Sequence, residues 1–382
     1  MKILITTDLY TTATNGVVTS VRNLYEELTE KGHDVRILTL SEGRESYKVG
    51  HVYFIKSASI GFIYPDVRMP LSYRSGLIQE LIDWKPDVVH SQCEFFIFQF
   101  AQRIAKLTGA PIVHTYHTLY EQYVNYLLPG KYIGRQVVRQ LSRMRLKKVA
   151  KVIAPTSKVE DALRGYGVTA DICVVPSGIS LEQHHHRLSE EERAKKRREL
   201  GIPENNNVLL NLGRLGTEKN LGELLSFFAD VLHYDPYLTF MIVGDGPDKE
   251  NLEKQAKELG ISEQVIFTGM VNPEEVQNYY QLADVFVNAS TSETQGLTYI
   301  EAAANGLPLL CRKDPCLNDV IQDGINGYEY TCCEEFEEYL NDILMNAEWR
   351  KAASEQSEKI AESFGKEHFV ESVETIYEEV AV

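Results

Sequence analysis

Short apolar runs and stretches with helical apolar spacing alternate along the first half of this chain. Short apolar runs at residues 2–7 and 33–40 predict buried strands, and between them residues 17–28 show the apolar spacing of an amphipathic helix. Further strands are predicted at 87–90, 111–115, 150–155 and 172–175, with a helix at 98–107. Strands that alternate with helices of this length indicate an α/β fold with a parallel, doubly wound sheet.

The same pattern restarts after residues 176–180. A charged helical stretch comes first, at 190–200. Predicted strands, each ahead of a helix, follow at 208–212, 238–243, 265–269 and 283–290. We therefore expect two Rossmann-like domains, residues 1–178 and 179–365, with the usual ligand-binding cleft between them. A final helix at about 366–382 is a candidate to pack back onto the first domain.

The charge of the chain is divided unevenly. The 382 residues carry a net charge of −16. Residues 1–178 hold 22 Lys and Arg against 16 Asp and Glu, whereas the remainder holds 17 against 39. Two halves that differ this much are expected to face different partners. No apolar run is long enough to span a membrane, and residues 1–8 lack the apolar segment of a signal peptide.

Cysteine and histidine usage favours neither disulfides nor a metal site. The six cysteines show no C-x-x-C spacing, so we interpret them as the reduced thiols of a cytoplasmic protein. His184, His185 and His186 are adjacent in a polar linker, and we interpret them as solvated.

Glu293 and Glu301, on either side of a Gln-Gly turn, are the most informative pair in the sequence. They follow the predicted strand 283–290, and the segment from Gly296 onward is typical of a helix start. Free N–H groups at a helix start bind phosphate, and carboxylates accept hydrogen bonds from sugar hydroxyls. Open α/β sheets bind ligands at the carboxyl ends of their strands, so the turn predicts a sugar-nucleotide site. The alternative is a helix start with solvent-facing acids.

Four blocks of residues, in this order along the chain, carry a family resemblance. They are Asn15-Gly16-Val17-Val18, Thr115-Tyr116-His117-Thr118, Gly213-Arg214-Leu215 with Glu218-Lys219-Asn220, and Glu293 through Glu301. Together they resemble the retaining family-4 glycosyltransferases of GT-B fold, and the resemblance covers essentially the whole chain. It implies two Rossmann-like domains with a donor-binding cleft between them, and a UDP-sugar donor bound without a metal ion or other cofactor. The sequence has no D-x-D metal motif that would contradict this.

By this resemblance, two cations bind the diphosphate of the donor and two carboxylates bind its sugars. Arg214 and Lys219 would compensate the diphosphate charge. Glu293 would bind the hydroxyls of the transferred sugar and Glu301 those of the ribose. The alternative for the two cations is an ordinary solvated helix start.

The turn between the two carboxylates would supply further contacts to the donor. The backbone amides of Gly296, Leu297 and Thr298 would donate to the phosphates. Gln295 stands where family members commonly carry an aromatic residue, and it is a candidate contact of the donor sugar or phosphate.

Three residues of the first half complete the set. By resemblance, the imidazole of His117 would contact the donor sugar near the reacting carbon; the alternative is a histidine bonded to neighbouring backbone. Gly16 has no side chain and would let its loop approach the diphosphate. Asp8, after the first strand, is a candidate acceptor contact. No nucleophile is assigned, because the leaving phosphate of retaining enzymes of this fold is thought to deprotonate the acceptor.

A basic segment between residues 131 and 151 predicts an anionic partner. It contains eight Lys and Arg and no acidic residue. On a helix, the basic residues that recur every four positions form one slowly turning stripe. They are Arg135, Arg139, Arg143, Lys147 and Lys151, beside the apolar Ile133, Val137, Val138, Leu141, Met144 and Leu146. Such a helix suits an anionic membrane surface. The alternative is a solvated helix face, and nucleic acid is a poor partner for a chain that is acidic overall.

A narrower resemblance concerns the acceptor. Residues 114–126 and 293–298 look like segments of the bacterial 1,2-diacylglycerol 3-alpha-glucosyltransferases. Those are monotopic enzymes that transfer glucose from UDP-glucose to diacylglycerol, so the resemblance implies a protein peripherally bound to the inner face of the cell membrane. Four tyrosines would give an aromatic approach to the cleft, namely Tyr116, Tyr120, Tyr123 and Tyr126. Residues 62–64 are a further candidate lipid contact.

Two other classes fit the same donor residues. A family-4 enzyme with a small-molecule or glycan acceptor would show no lipid dependence. A non-catalytic sugar-nucleotide-binding protein would bind the donor without turnover, but every residue of the expected clamp is present. Phosphorylase chemistry would need a pyridoxal-phosphate lysine site, which the sequence does not display. The base, the sugar and the oligomeric state stay open, with uridine and glucose the expectation from the resemblance.

Overall fold

A computed structural model describes residues 1–10, 15–60, 68–122, 131–184 and 186–381. The chain divides into two compact units. The first unit is Met1–Gly178 together with Lys366–Val382, and the second is Ile179–Gly365. Each has its own sheet and its own apolar core, which confirms the predicted α/β class with two Rossmann-like halves.

The first unit is built on an eight-stranded sheet in the order β10-β9-β8-β7-β1-β2-β4-β3. Neighbouring strands are parallel, except that β3 is antiparallel to β4. The strands are β1 Lys2–Thr6, β2 Asp34–Leu40, β3 Tyr47–Val49, β4 Val52–Ile55, β7 Val88–Ser91, β8 Ile112–Thr115, β9 Lys151–Ala154 and β10 Asp171–Val174. A separate antiparallel hairpin pairs β5 Ser57–Ser59 with β6 Arg68–Pro70. The chain reverses its direction across the sheet between β1 and β7, which makes their carboxyl ends a topological switch point.

Helices cover both faces of this sheet. They are α1 Gly16–Glu30, α2 Gly76–Trp84, α3 Phe96–Thr108, α4 Lys131–Leu146 and α5 Ser157–Gly165, with a 3₁₀ turn at Tyr120–Gln122. Asn15 caps the first helix, because its side-chain oxygen accepts a hydrogen bond from the Val18 amide at 2.9 Å. Gly32 follows the helix with a φ of +87°, a conformation that suits a residue without a side chain.

The second unit contains a six-stranded, wholly parallel sheet in the order β13-β12-β11-β14-β15-β16. Its strands are β11 Asn207–Leu212, β12 Leu238–Val243, β13 Val265–Gly269, β14 Val285–Asn288, β15 Leu309–Arg312 and β16 Gly327–Tyr330. Its helices are α6 Glu190–Glu199, α7 Leu221–Val231, α8 Lys249–Glu258, α9 Val276–Leu282, α10 Leu297–Ala304, α11 Cys333–Met345 and α12 Ala347–Glu362. Four 3₁₀ turns accompany them, at Leu181–His184, Thr217–Lys219, Pro273–Glu275 and Pro315–Leu317. Here the switch point lies between β11 and β14.

The helix α13, Lys366–Val380, follows the second unit in sequence but belongs to the first. Its apolar face packs beside α1 on one face of the first sheet, through Phe369, Val370, Val373, Ile376 and Tyr377. The Tyr377 hydroxyl lies 2.6 Å from His90 Nδ1 at the centre of that sheet, and Lys366 forms an ion pair with Glu27 at 2.7 Å.

Most predicted elements agree with the structure to within one or two residues, but the interpretation of the histidine run is wrong. His184 is buried rather than solvated, and its Nδ1 lies 2.8 Å from Asn305 Nδ2. The reason is that the 3₁₀ turn Leu181–His184 packs against α10 and does not extend into solvent as a linker. Among the described helices, none is both long and apolar enough to cross a membrane.

Candidate active site

The Gln-Gly turn lies at the carboxyl end of β14, where it leads into α10. Gly296 has a φ of +75° and immediately precedes the helix. A Cβ atom at this position would lie 2.3 Å from Cε2 of Tyr299, whose ring is buried. Only glycine fits both the backbone conformation and the ring beneath it. The helix start is therefore held in one conformation, with the amides of Leu297 and Thr298 at its first turn.

An ion pair joins the two loops at the switch point of the second unit. Lys219 ends the 3₁₀ turn after β11, and its Nζ lies 2.6 Å from Oε1 of Glu293 after β14. Both side chains are only partly exposed, 22% and 17%. The fold thus brings together two predicted site residues that are 74 positions apart in the sequence.

Arg214 makes the second ion pair of this region, with Glu218. The Glu218 side chain is almost fully buried, and its backbone carbonyl accepts a hydrogen bond from Ser292 Oγ at 3.2 Å. Arg214 itself is 41% exposed. Both cations predicted to bind the diphosphate are therefore paired with carboxylates in this state.

Glu301 lies one turn into α10, with its carboxylate against α9. Its Oε2 accepts a hydrogen bond from the Tyr280 hydroxyl at 2.7 Å. Burial raises the pKa of Glu301 above its ordinary value, and the Tyr280 hydrogen bond opposes that rise. Gln295, on the turn before the helix, is buried. Its contact with the donor sugar or phosphate stays a prediction.

The first unit presents a second group of polar residues, at the carboxyl ends of β7 and β8. His117 Nε2 lies 2.7 Å from Oε1 of Gln92. Burial lowers the pKa of His117 to about 3, so the imidazole is neutral at physiological pH. A neutral imidazole has one donor and one acceptor, and it can accept or donate a hydrogen bond without carrying charge.

Asp8, at the carboxyl end of β1, accepts a hydrogen bond from the Ile97 amide at the start of α3, at 3.0 Å. Burial raises the pKa of Asp8 to about 7, and the nearby charge of Glu94 adds to the effect. Glu94 is itself buried, and accepts hydrogen bonds from the Tyr120 hydroxyl at 2.7 Å and from His114 Nε2 at 3.1 Å. Asp8 and Tyr120 therefore both lie near the carboxylate of Glu94, which was not among the predicted site residues.

Gln92 and Glu94 could have been found by the reasoning that selected Asp8. Both follow the buried strand β7, in the polar run His90-Ser91-Gln92-Cys93-Glu94. Polar side chains just after a buried parallel strand lie at the edge where such sheets bind ligands. Gly16, by contrast, is the exposed first residue of α1.

The basic stripe on α4 is less uniform than the sequence suggested. Arg135, Arg143 and Lys147 are exposed, as predicted. Lys151 is not on the helix, because α4 ends at Leu146; it begins β9 and pairs with Asp171 and Glu379. Arg139 is partly exposed, and its Nε lies 2.6 Å from Glu121 Oε1 and its guanidinium 5.7 Å from the Tyr166 ring. Residues four apart on a helix drift by about 40° at each step, so a stripe of this kind cannot stay on one face.

The apolar residues of α4 divide in the same way. Val137, Leu141 and Met144 are 40%, 46% and 61% exposed and form a ridge beside the exposed cations. Leu146 is fully buried, contrary to the prediction, because it faces the core.

Tyr116 is also fully buried, with its hydroxyl 2.9 Å from Ser142 Oγ, so it is not part of an aromatic approach. Tyr123, Tyr126 and residues 62–64 lie outside the described residues.

One group of side chains in the described part of the chain could ligate a metal ion. Asp230, Cys333 and Glu337 place their ligand atoms within 4.8 Å of one another. None of the three is a predicted donor or acceptor residue.

The two parallel sheets flanked by helices are the fold of the GT-B glycosyltransferases. The family model for group 1 glycosyl transferases matches residues 192–360, and the model for Glycosyltransferase Family 4 matches residues 14–183. The crystal structure of Anabaena Alr3699/HepE in complex with UDP and glucose superimposes with a TM-score of 0.78 at 16% identity, covering 99% of this chain and 100% of that one. Sucrose-phosphate synthase from Thermosynechococcus elongatus gives 0.78 at 19% identity, covering 99% and 98%.

Curated relatives are similar over most of their length. This chain is 38% identical to alpha-monoglucosyldiacylglycerol synthase of Streptococcus pneumoniae, over 86% of the chain and 75% of the relative. It is 31% identical to the protein of the same name from Acholeplasma laidlawii, over 99% and 96%. The chain belongs to the family-4 glycosyltransferases of GT-B fold.

Proposed function

We propose that this glycosyltransferase moves glucose from UDP-glucose to diacylglycerol, with retention of the α configuration and without a metal ion. The observation that carries the proposal is the Lys219–Glu293 pair beside the Gly296 helix start. It puts a cation, a carboxylate and free amides at the switch point where an α/β sheet binds ligands. The names of the curated relatives support the glucose and the lipid acceptor.

In the proposed reaction, the bond between the anomeric carbon and the diphosphate oxygen breaks, and UDP leaves. The acceptor hydroxyl oxygen forms the new glycosidic bond on the same face. Its proton passes to the departing diphosphate. Arg214, Lys219 and the amides at the start of α10 compensate the charge that develops on the leaving group.

Donor binding requires the two ion pairs to exchange partners. When the diphosphate binds Lys219, Glu293 is released to accept hydrogen bonds from the sugar. The same exchange frees Arg214 from Glu218. Glu301 is proposed to bind the ribose hydroxyls, with Tyr280 fixing its carboxylate.

The residues of the first unit are proposed to act as uncharged hydrogen-bonding partners. His117 has a pKa of about 3 and cannot supply a proton as an imidazolium near pH 7, so its role is to orient a sugar hydroxyl. Asp8 has a pKa of about 7, so a large share of its population can donate a hydrogen bond to the acceptor.

The exposed side of α4 is proposed as the membrane contact, at the cytoplasmic face of the cell membrane. Its ridge of Val137, Leu141 and Met144 offers apolar area, and the adjacent Arg143 and Lys147 offer charge. Each cation near an anionic surface contributes about 1 kcal/mol. The protein would bind the membrane peripherally, through the first unit. The excess of acidic residues lies in the second unit and not in the unit that contains α4.

The test is UDP release from UDP-glucose, measured with and without diacylglycerol in anionic vesicles. We expect release that depends on the lipid, with a glucosylated lipid recovered. Release that needs only a soluble sugar or small acceptor would keep the family and contradict the lipid acceptor. UDP binding without release for any acceptor would contradict the transferase assignment. Glu293→Gln serves as the inactive control.

A further inference from the structure

A buried glutamine of the first unit is hydrogen-bonded to the ring of His117. Gln92 follows β7 and His117 follows β8, and these two strands are adjacent and parallel. Gln92 Oε1 lies 2.7 Å from His117 Nε2. Gln92 is only 3% exposed, whereas His117 is partly exposed. A ligand can therefore reach the ring of His117, while the glutamine supports that ring from the protein side.

This hydrogen bond determines which nitrogen of the ring carries the proton. Oε1 is a carbonyl oxygen and can only accept, so His117 Nε2 carries a hydrogen and donates it. Burial lowers the pKa of His117 to about 3, so the ring carries a single N–H near pH 7. Nδ1 therefore keeps its lone pair. A ligand hydroxyl that bonds to this ring through Nδ1 can only be the donor.

The other end of the glutamine side chain makes no hydrogen bond in the described part of the chain. Gln92 Nε2 is buried and has no partner among the described residues. A buried amide without a partner is unfavourable and does not stabilise the fold. Within the described residues, the bond to His117 is therefore the one polar contact that the Gln92 side chain makes.

Two neighbouring histidines differ from His117 in their partners and in their burial. His114 Nε2 lies 3.1 Å from a carboxylate oxygen of Glu94, and His90 lies between two hydroxyl groups. Both histidines are fully buried, whereas His117 is accessible and is held by a neutral amide. A carboxylate in place of that amide would favour the imidazolium form of the ring.

We propose that Gln92 is a positioning residue for glycosyl transfer. It fixes the orientation and the tautomer of His117, so that the ring offers Nδ1 as an uncharged acceptor to a hydroxyl of the donor sugar. His117 contacts the sugar only if the proposed function is correct, and the role of Gln92 rests on it. Gln92 itself does not touch the substrate and acts through the ring.

Nuclear magnetic resonance of the whole protein, labelled with ¹⁵N at histidine, tests the tautomer before any donor is added. The signals of the two ring nitrogens show which one carries the proton, and His117→Gln identifies them by their loss. In the wild type we expect the proton on Nε2. Gln92→Met removes the acceptor and keeps a similar volume, so a measurable share of the rings should carry the proton on Nδ1 instead. That variant should fold, because it also removes the unpartnered amide, and thermal unfolding checks this.

Gln92→Glu gives the opposite change in charge at the same place. Its carboxyl group should put a proton on Nδ1, either by pairing with an imidazolium or by donating its own proton to Nε2. Gln102→Glu is the matched control, at a partly exposed position in α3 of the same unit, and should leave the His117 signals as in the wild type.

The same variants are assayed for UDP release from UDP-glucose with diacylglycerol vesicles. Gln92→Met should lower kcat about tenfold, because the ring is no longer held in one tautomer. For Gln92→Glu, turnover relative to wild type should fall further as the pH is lowered from about 8 to about 6, because the additional proton is bound at lower pH. Taking the ratio cancels the titration of Asp8, which has a pKa of about 7 in both proteins. The ratio for Gln102→Glu should not change with pH.

The two readouts separate the possible failures. A proton on Nδ1 in the wild type would mean that the amide group of Gln92 faces the ring, and it would overturn the assignment. Unchanged His117 signals in both Gln92 variants would overturn it as well. Altered signals with wild-type turnover would exclude a positioning role. Altered signals in a protein that turns over no donor would confirm the contact but overturn the glycosyl transfer on which the role rests.

Discussion

Lys219 Nζ and Glu293 Oε1 lie 2.6 Å apart, so the cation expected to bind the diphosphate is held by the carboxylate expected to bind the sugar. The two charges compensate each other. An unpaired charge would be costly here, because both side chains are mostly buried. A nucleotide sugar offers a new partner to each. A nucleotide without the sugar would replace Glu293 as the partner of Lys219 but would offer no hydroxyls to Glu293.

Glu293→Gln is expected to lower turnover about 10- to 100-fold, because the sugar loses a charged acceptor. Affinity for UDP should rise in the same variant, since Lys219 is released. Steady-state UDP-release kinetics and a UDP titration measure the two effects. Glu258→Gln is the matched control, because it removes the carboxylate of an exposed Lys–Glu pair in the same unit. Wild-type turnover in Glu293→Gln would exclude the residue from the site.

Lys219→Gln combined with Glu293→Gln tests whether the pair exchanges partners. If each residue binds its own part of the donor, the fold losses in kcat/KM of the two single variants should nearly multiply in the double variant. If Glu293 acts only by neutralising Lys219, the double variant should be no worse than Lys219→Gln. The coupling energy is read from the four proteins of the cycle.

Gly296→Ala is expected to reduce both stability and activity. The new Cβ would lie 2.3 Å from Tyr299, and the φ of +75° adds strain. Gly324→Ala is the control, because it has a φ of +74° but its nearest contact, Tyr328, is 3.9 Å away. The Gly296 variant should lose about 2 kcal/mol more than the control, as overpacking does elsewhere. Thermal unfolding measures this, and equal losses would show that the ring can move aside.

Asp8→Asn should change the pH dependence of stability. The pKa of Asp8 rises from 3.8 to about 7 on folding, so the folded state favours the protonated acid. The contribution of this group is fully present below pH 3.8 and is lost as the pH rises toward 7. Asparagine does not ionise, so the variant should gain about 2 kcal/mol relative to wild type between pH 5 and pH 8. Asp161→Asn, at an exposed position in α5, should show no such trend.

Replacing Arg135, Arg143 and Lys147 with serine should weaken binding to anionic vesicles. Three cations contribute about 3 kcal/mol at such a surface, equivalent to roughly a hundredfold change in binding. A control that replaces Lys195, Arg198 and Lys254 changes the charge equally on exposed sites of the second unit. Vesicle sedimentation gives the binding, and equal effects of both triples would assign it to net charge alone.

The sequence pattern predicted many of the strands and the helices beside them, but not the very short strands or the helices α11 and α12. The strands at Leu238–Val243 and Val265–Gly269 agree with the predicted bounds, because each is a short run rich in apolar and β-branched residues. The strands Tyr47–Val49, Ser57–Ser59 and Arg68–Pro70 were not predicted. Three residues are too few to show an alternation, and their pairing depends on neighbours in space.

Contacts between residues on neighbouring strands could not be predicted from the sequence either. The motifs identified Lys219 and Glu293 separately, but their ion pair depends on β11 and β14 being adjacent. The position of Glu94 after β7 was readable from the sequence, but its hydrogen bonds with Tyr120 and His114 were not. On α4 the helix itself was predicted, but the hydrogen bond between Arg139 and Glu121 was not.

The return of α13 to the first unit has a consequence for the order in which the protein folds during synthesis. Tyr377 and His90 are 287 positions apart, with the whole second unit between them. On the ribosome, residues 1–178 emerge first but lack the helix that covers one face of their sheet. The second unit is continuous in sequence and can complete its own core earlier. The nascent first unit therefore exposes part of its apolar face until the last helix emerges. During that interval we expect it to need chaperones.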